Sequence, residues 1–169
     1  MKWLLSLGFL LFVISSCQKQ MNQKLQQEEI SSSVRNANGE IPPFNLEVIL
    51  HSEGTGFGLI KFRQNVDTAK IITLNTWVRD LEPNHQYFLQ RAVDVTIDGN
   101  CTGTAWLTLG KGLTPQSIFT DANGSGKEEL WRDISAIPTG SAFDIHFRIV
   151  DATSMFVVLT SDCYEYVVR

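Results

Sequence analysis

The feature that most constrains the fold of this chain is a strict period of two over residues 143–149. Phe143, Ile145, Phe147 and Ile149 are large and apolar, whereas every residue between them is polar. Such alternation turns one side of a β-strand towards a core and the other towards water. No stretch of a dozen residues in the rest of the folded part shows a helical stripe. The sequence therefore predicts an all-β domain.

Similar short segments, rich in β-branched and aromatic residues, recur from residue 44 onward and are bounded by Gly, Pro, Asn and Asp. Their spacing is typical of an antiparallel two-sheet β-sandwich. The predicted strands are 44–50, 57–64, 69–79, 86–95, 103–109, 116–120, 127–132, 142–150, 154–160 and 163–168.

Leu81, Pro83 and Tyr87 have the spacing of a tyrosine corner, in which a tyrosine hydroxyl bonds to nearby backbone. This segment resembles the corner of fibronectin type III domains. The resemblance implies an immunoglobulin-like sandwich, and the long chain after Tyr87 implies strands beyond those of that family.

The N-terminus has the composition of an export signal. Lys2 precedes an apolar run over residues 3–14, which is too short to span a bilayer as a helix. The sequence Ile-Ser-Ser-Cys at 14–17 resembles the lipobox of bacterial lipoproteins. The resemblance implies that Cys17 receives diacylglycerol and becomes the mature N-terminus, with acyl chains that anchor it in a membrane. An ordinary secreted protein is the alternative.

Three regions follow from this interpretation. Residues 1–16 are the signal peptide, residues 17–42 are a Gln-rich, lipid-anchored flexible stalk, and residues 43–169 are the β-sandwich domain. Gln18 is not the Asp that resembles an inner-membrane retention signal, so the outer membrane is expected. The absence of an acidic run after Cys17 favours a periplasmic over a surface location.

Charge limits the possible partners. The net charge is −4 and no Lys/Arg cluster is present, so nucleic acid is not an expected partner. An envelope protein or a glycan fits the expected location.

Cys101 and Cys163 are the two cysteines of the predicted domain, and export favours a disulfide between them. Closing the loop between them would stabilise the fold by about 4 kcal/mol. A thiolate metal pair or a catalytic thiol is the alternative.

A calcium-loop pattern begins at Asp121, with Asn123, Ser125 and Gly126 at its third, fifth and sixth positions. The twelfth position, which should carry a bidentate Glu, is Arg132. The flanking sequence is strand-like and Asn123 precedes a glycine, so a plain hairpin turn is the alternative.

Asp144, His146 and Arg148 form the best polar row in the chain, on one face of a predicted strand. They are candidates for metal or hydrolytic chemistry. The alternative is a solvated sheet face with cross-strand charge pairs.

Five aromatic residues suggest either a platform for sugar or peptide binding or ordinary core packing. They are Trp77, Trp106, Trp131, Tyr164 and Tyr166.

The sequence has neither a nucleophile elbow nor carboxylates paired for glycoside hydrolysis. The sequence thus predicts a non-enzymatic envelope lipoprotein, without a cofactor, that presents a binding or assembly module. The alternative is a calcium-binding or hydrolytic protein that uses Asp144 and His146 or the 121–126 loop.

Overall fold

The computed structural model describes residues 42–169, in which strands alternate with turns and loops. The predicted signal peptide, Cys17 and the stalk up to residue 41 lie outside the described residues. The strands are β1 (Phe44–His51), β2 (Phe57–Gln64), β3 (Ile71–Arg79), β4 (Gln86–Asp94), β5 (Leu107–Thr108), β6 (Gly110–Lys111), β7 (Thr114–Pro115), β8 (Ser117–Phe119), β9 (Gly126–Asp133), β10 (Ala142–Asp151), β11 (Val157–Ser161) and β12 (Tyr164–Val167).

The all-β class predicted from the alternation is confirmed. In residues 42–169, no helix has the length and hydropathy needed to cross a membrane.

The strands form one nearly closed sheet. Hydrogen bonding links them in the order β5-β4-β10-β11-β1-β2-β3-β9-β6-β7, and β12 also pairs with β10. Closure comes from β8, which pairs with β4 and continues into a bridge between Thr120 and Gly126, the first residue of β9. The expected antiparallel two-sheet, immunoglobulin-like sandwich is not confirmed, because the strands form a continuous sheet and β6 pairs with β9 in parallel.

Two ends of this sheet can be defined from the strand register. Leu50, Gly58, Val78 and Gly126 lie side by side at one end, which we call the Gly126 end. Phe44, Gln64, Ile72 and Arg132 lie side by side at the other, which we call the Gln64 end.

Alternate residues of the long strands face a common interior, as the period of two requires. Phe62 of β2 and Phe147 of β10 meet edge to face across this interior, with ring centroids 6.1 Å apart. Tyr166 packs against Phe44 and Phe62, with ring centroids 4.9 Å from each. Edge-to-face contacts of this kind add to the free energy of burial.

The region between β4 and β9 departs most from the sequence prediction. A strand was predicted over 103–109, but only Leu107–Thr108 is paired, and a small hairpin of β6 and β7 occupies the expected turn at 110–112. A β-carbon at Gly110 would lie 1.8 Å from the Thr114 carbonyl oxygen, so this hairpin requires glycine there.

The disulfide between Cys101 and Cys163 is present, as predicted, with the two Cα atoms 5.4 Å apart. It joins the loop that follows β4 to the residue before β12. The loop over residues 95–106, which contains Cys101, is thereby fixed beside the outer face of β10.

Candidate functional site

Asp144 is not on a solvated face. Its side chain is buried, with 1% of the residue exposed. One carboxylate oxygen, Oδ2, accepts hydrogen bonds from the backbone N–H groups of Asp98 at 2.9 Å and Gly99 at 2.8 Å. The solvated interpretation is therefore wrong for this residue, because the 95–106 loop covers the strand here.

His146 and Arg148 are covered by the same loop, through Trp106. The His146 and Trp106 rings lie 4.6 Å apart, and the Arg148 guanidinium carbon lies 4.0 Å from the centre of the indole. Arg148 Nε donates to Gln90 Oε1 at 2.8 Å, and His146 Nε2 lies 3.1 Å from the Gly103 carbonyl oxygen. Burial lowers the pKa of Arg148 from its usual value. These contacts hold the loop on the sheet.

The 121–126 segment forms the turn of a hairpin between β8 and β9. Asp121 Oδ1 accepts from the backbone N–H groups of Asn123 at 2.8 Å and Ser125 at 3.0 Å. Gly124 has a φ of +74°, and its carbonyl oxygen accepts from the N–H of Leu81 at 3.2 Å. Among residues 42–169, no three His, Cys, Asp or Glu side chains are grouped so that they could hold a metal ion.

His85 contacts two carboxylates that its sequence spacing did not indicate. Its Nε2 forms a hydrogen bond with Asp151, and its Nδ1 lies 3.9 Å from a carboxylate oxygen of Glu82. The pKa of Asp151 lies far below its usual range, because the backbone and hydroxyl of Ser154 donate to the carboxylate and His85 adds a further bond. The Ser154 hydroxyl bonds to Asp151 at 2.9 Å, so it is not activated by His85.

The turn that carries His85 is fixed by two hydroxyls. Tyr87 accepts a hydrogen bond from the Glu82 N–H at 3.1 Å, and Thr120 donates to the Glu82 carbonyl oxygen at 2.6 Å. A tyrosine at this spacing thus bonds to nearby backbone.

A groove lies on the outer surface at the Gly126 end. It encloses about 640 Å³, which is within the range of small-molecule sites. Its floor is the outer face of β2, β3 and β9, and the β8–β9 hairpin forms one wall. The lining residues are Phe57, Leu59, Trp77, Val78, Arg79, Phe119, Asp121, Ser125, Gly126 and Lys127. We call this the aromatic groove.

Cations flank the aromatic rings of this groove. Lys127 Nζ lies 5.1 Å from the Trp77 ring centre, and Lys61 Nζ lies 5.6 Å from it. The Arg79 guanidinium lies 4.9 Å from the centre of the Phe57 ring. These distances are typical of cation–π contacts, which orient the rings and leave cationic groups at the rim.

The five aromatic residues singled out in the sequence do not form one platform. Trp77 lines the aromatic groove, and Trp106 packs beneath the 95–106 loop. Trp131 is 39% exposed, whereas Tyr166 is buried in the core. The Tyr164 hydroxyl of β12 accepts from the Ile49 N–H of β1 at 3.4 Å. In the aromatic groove, Trp77 lies with Phe57 and Phe119 instead.

No family model, curated protein or solved structure matches this chain.

Proposed function

We propose that this chain is a non-enzymatic lipoprotein of the bacterial envelope that binds a glycan in the aromatic groove. Anchoring through Cys17 rests on the lipobox-like tetrapeptide, and an outer-membrane location rests on Gln18. The single observation that supports the binding role is the convergence of Phe57, Trp77 and Phe119 on one groove.

The composition of the groove suits sugars. Pyranose rings have an apolar face of C–H groups that packs against aromatic rings, and hydroxyls around the ring that need polar partners. Trp77 and Phe119 offer aromatic surface, and Asp121, Ser125 and Lys127 offer acceptors and donors. A mostly apolar groove with a few polar groups is the usual composition of a ligand site.

The backbone of the groove argues against an extended peptide added as a strand. Strand β2 is paired with β1 and β3, and β3 is paired with β2 and β9, over their whole lengths. Their N–H and C=O groups are therefore satisfied within the sheet. Strand addition needs an open edge, whereas a glycan needs only the side chains that this face presents.

We propose a non-enzymatic role because the candidate catalytic residues make contacts that hold the fold together. Asp144 bonds to backbone N–H groups, and His146 and Arg148 pack around Trp106. Asp121 bonds within its own turn. No observation favours the calcium-binding or hydrolytic alternative.

We also propose that the domain has two opposed layers of strands. The contact between Phe62 and Phe147 joins strands that are not sheet neighbours, which supports two opposed walls packed like the layers of an immunoglobulin-like sandwich.

Two exposed phenylalanines provide the test. Phe119 is 56% exposed in the groove, and Phe156 is 76% exposed outside it. The full-length protein, in a sugar-free detergent, is screened against an array of bacterial envelope glycans and titrated with the tightest ligand. Phe119→Ala should weaken binding by about tenfold, or about 1.4 kcal/mol. Phe156→Ala should bind as the unchanged protein does.

Two results would refute the glycan proposal: no glycan binding at all, or equal affinity of the two variants. The anchor is tested separately by growth with radiolabelled palmitate. The unchanged chain should incorporate label, and Cys17→Ser should not. Incorporation by Cys17→Ser would contradict the lipobox interpretation.

A further inference from the structure

Three partly buried arginines lie towards the Gln64 end of the sheet, and two of them, Arg91 and Arg132, hold strand positions where alternation would place apolar side chains. Arg91 lies between Leu89 and Val93 on β4, both of which pack in or against the core. Arg132 lies beside Ile72, a buried core residue of β3. Arg169 follows the buried Val168. Charged side chains at such positions are rare unless they are paired.

The three guanidinium groups are close enough to influence one another or a common neighbour. Burial, together with the charge of Arg132, lowers the pKa of Arg91. Tyr166 lies near both Arg91 and Arg169, whose charges act against the rise in its pKa that burial causes. The Arg169 guanidinium lies 5.4 Å from the ring centre of Phe44, which packs on Tyr166. The arginines therefore surround the Tyr166 side of the interior.

No side-chain carboxylate forms an ion pair with this cluster within the described part of the chain. Five ion pairs occur there, and none includes Arg91, Arg132 or Arg169. Asp133 lies next to Arg132 in sequence, but its carboxylate accepts the Ser135 N–H at 2.7 Å and is exposed.

The hydrogen-bonding capacity of the guanidinium groups is largely unused within residues 42–169. Arg169 Nε and Nη1 are buried without a partner. Arg132 makes one long bond, from Nη1 to the Gly112 carbonyl oxygen at 3.4 Å. Burying charged donors without partners is costly. Several unused donors at one end of the sheet suit an anionic ligand.

The neutral groups nearby do not meet this need. Gln64 Oε1 accepts from the Tyr166 hydroxyl at 2.6 Å and from the Arg169 N–H at 2.9 Å. Gln64 Nε2 donates to the Arg169 carbonyl oxygen at 3.1 Å. The Gln64 side-chain oxygen is thus fully engaged, and it fixes the Tyr166 hydroxyl beside the cations.

We propose that Arg91, Arg132 and Arg169 form an internal anion-binding site for a compact tetrahedral oxyanion of the phosphate type. A planar guanidinium donates two parallel N–H bonds to such a group. A cluster of three cations without a side-chain carboxylate partner favours an anionic ligand. The site lies at the Gln64 end and is separate from the aromatic groove at the Gly126 end.

The test uses inorganic phosphate with the full-length protein in a neutral detergent, at constant ionic strength adjusted with sodium chloride. Thermal unfolding is followed for the unchanged chain and for Arg91→Gln, Arg132→Gln and Arg63→Gln. Arg63 is exposed on β2 beside Gln64 and serves as the matched control. A parallel series replaces phosphate by succinate, a flexible dianion with two planar carboxylate groups.

Phosphate at ten times its dissociation constant should raise the melting temperature of the unchanged chain and of Arg63→Gln by about 5 °C. The rise should be lost in Arg91→Gln and Arg132→Gln, and succinate should give a smaller rise. A rise of equal size in all four proteins, an equal rise with succinate, or no rise in the unchanged chain would overturn the proposal.

Nuclear magnetic resonance of the unchanged chain covers the case in which a variant does not fold. Phosphate should shift the Nε–Hε signals of Arg91, Arg132 and Arg169 and leave that of Arg63 in place. Absence of these selective shifts at saturating phosphate would overturn the proposal without any variant.

Discussion

Asp144 offers the sharpest test of how the outer face of β10 is built. Its Oδ2 atom accepts two backbone N–H bonds, from Asp98 and Gly99, in a residue that is 1% exposed. Replacement by alanine removes both bonds and leaves two donors of the 95–106 loop unsatisfied. Replacement by asparagine keeps one oxygen that can accept both bonds but removes the charge that strengthens them.

The magnitudes follow from the difference between charged and neutral acceptors. Bonds to a charged group contribute about 1.5–3 kcal/mol each and neutral bonds about 0.5–1.5 kcal/mol each. Asp144→Ala should therefore lower the free energy of unfolding by about 3–6 kcal/mol. Asp144→Asn makes both bonds neutral, which weakens each by about 1 kcal/mol, so the free energy of unfolding should fall by about 2 kcal/mol.

Urea unfolding at neutral pH measures these changes. With a slope of about 2 kcal/mol per molar, Asp144→Ala should move the midpoint down by about 2 M. Amide hydrogen exchange at Asp98 and Gly99 should accelerate in the same variant. Asp162→Ala is the control, since Asp162 is exposed, and it should leave the midpoint unchanged. An Asp144→Ala midpoint equal to that of Asp162→Ala would refute the reasoning and would leave the carboxylate free for chemistry.

Two further predictions concern the disulfide and acid pH. The double variant Cys101→Ser, Cys163→Ser should lose about 4 kcal/mol of unfolding free energy in urea titrations, and a loss below about 1 kcal/mol would contradict the loop-closure account. Because hydrogen bonds depress the pKa of Asp151 in the folded state, its stabilising contribution is present above its unfolded pKa of about 3.9 and is lost as the pH falls towards the lower folded value. Thermal scans between pH 5 and pH 2 should therefore show a smaller acid loss for Asp151→Asn than for the unchanged chain, and equal slopes would count against this assignment.

Local alternation predicted the strands that have a continuous pattern. β2 was predicted at 57–64 and is Phe57–Gln64, and β10 was predicted at 142–150 and is Ala142–Asp151. The prediction over 103–109 failed in its first half, because Gly103 and Trp106 lie over β10 as a loop. Extended residues of a loop and of a strand have similar local patterns, and only long-range packing separates them.

The sites depended on contacts that sequence spacing does not contain. The aromatic groove combines Phe57, Trp77 and Phe119 through the register of three strands and a hairpin. The burial of Asp144 depends on a distant loop. Arg91 is different, because its place between Leu89 and Val93 on an alternating strand could have marked it as an interior cation from the sequence alone.

The separation of the two ends of the sheet has a consequence for access to the aromatic groove. The chain enters the domain at Phe44, at the Gln64 end, and the aromatic groove opens at the Gly126 end. Strand β1 covers roughly 23 Å between these ends, at about 3.3 Å per residue. A ligand bound in the aromatic groove would therefore lie about one strand length from Phe44.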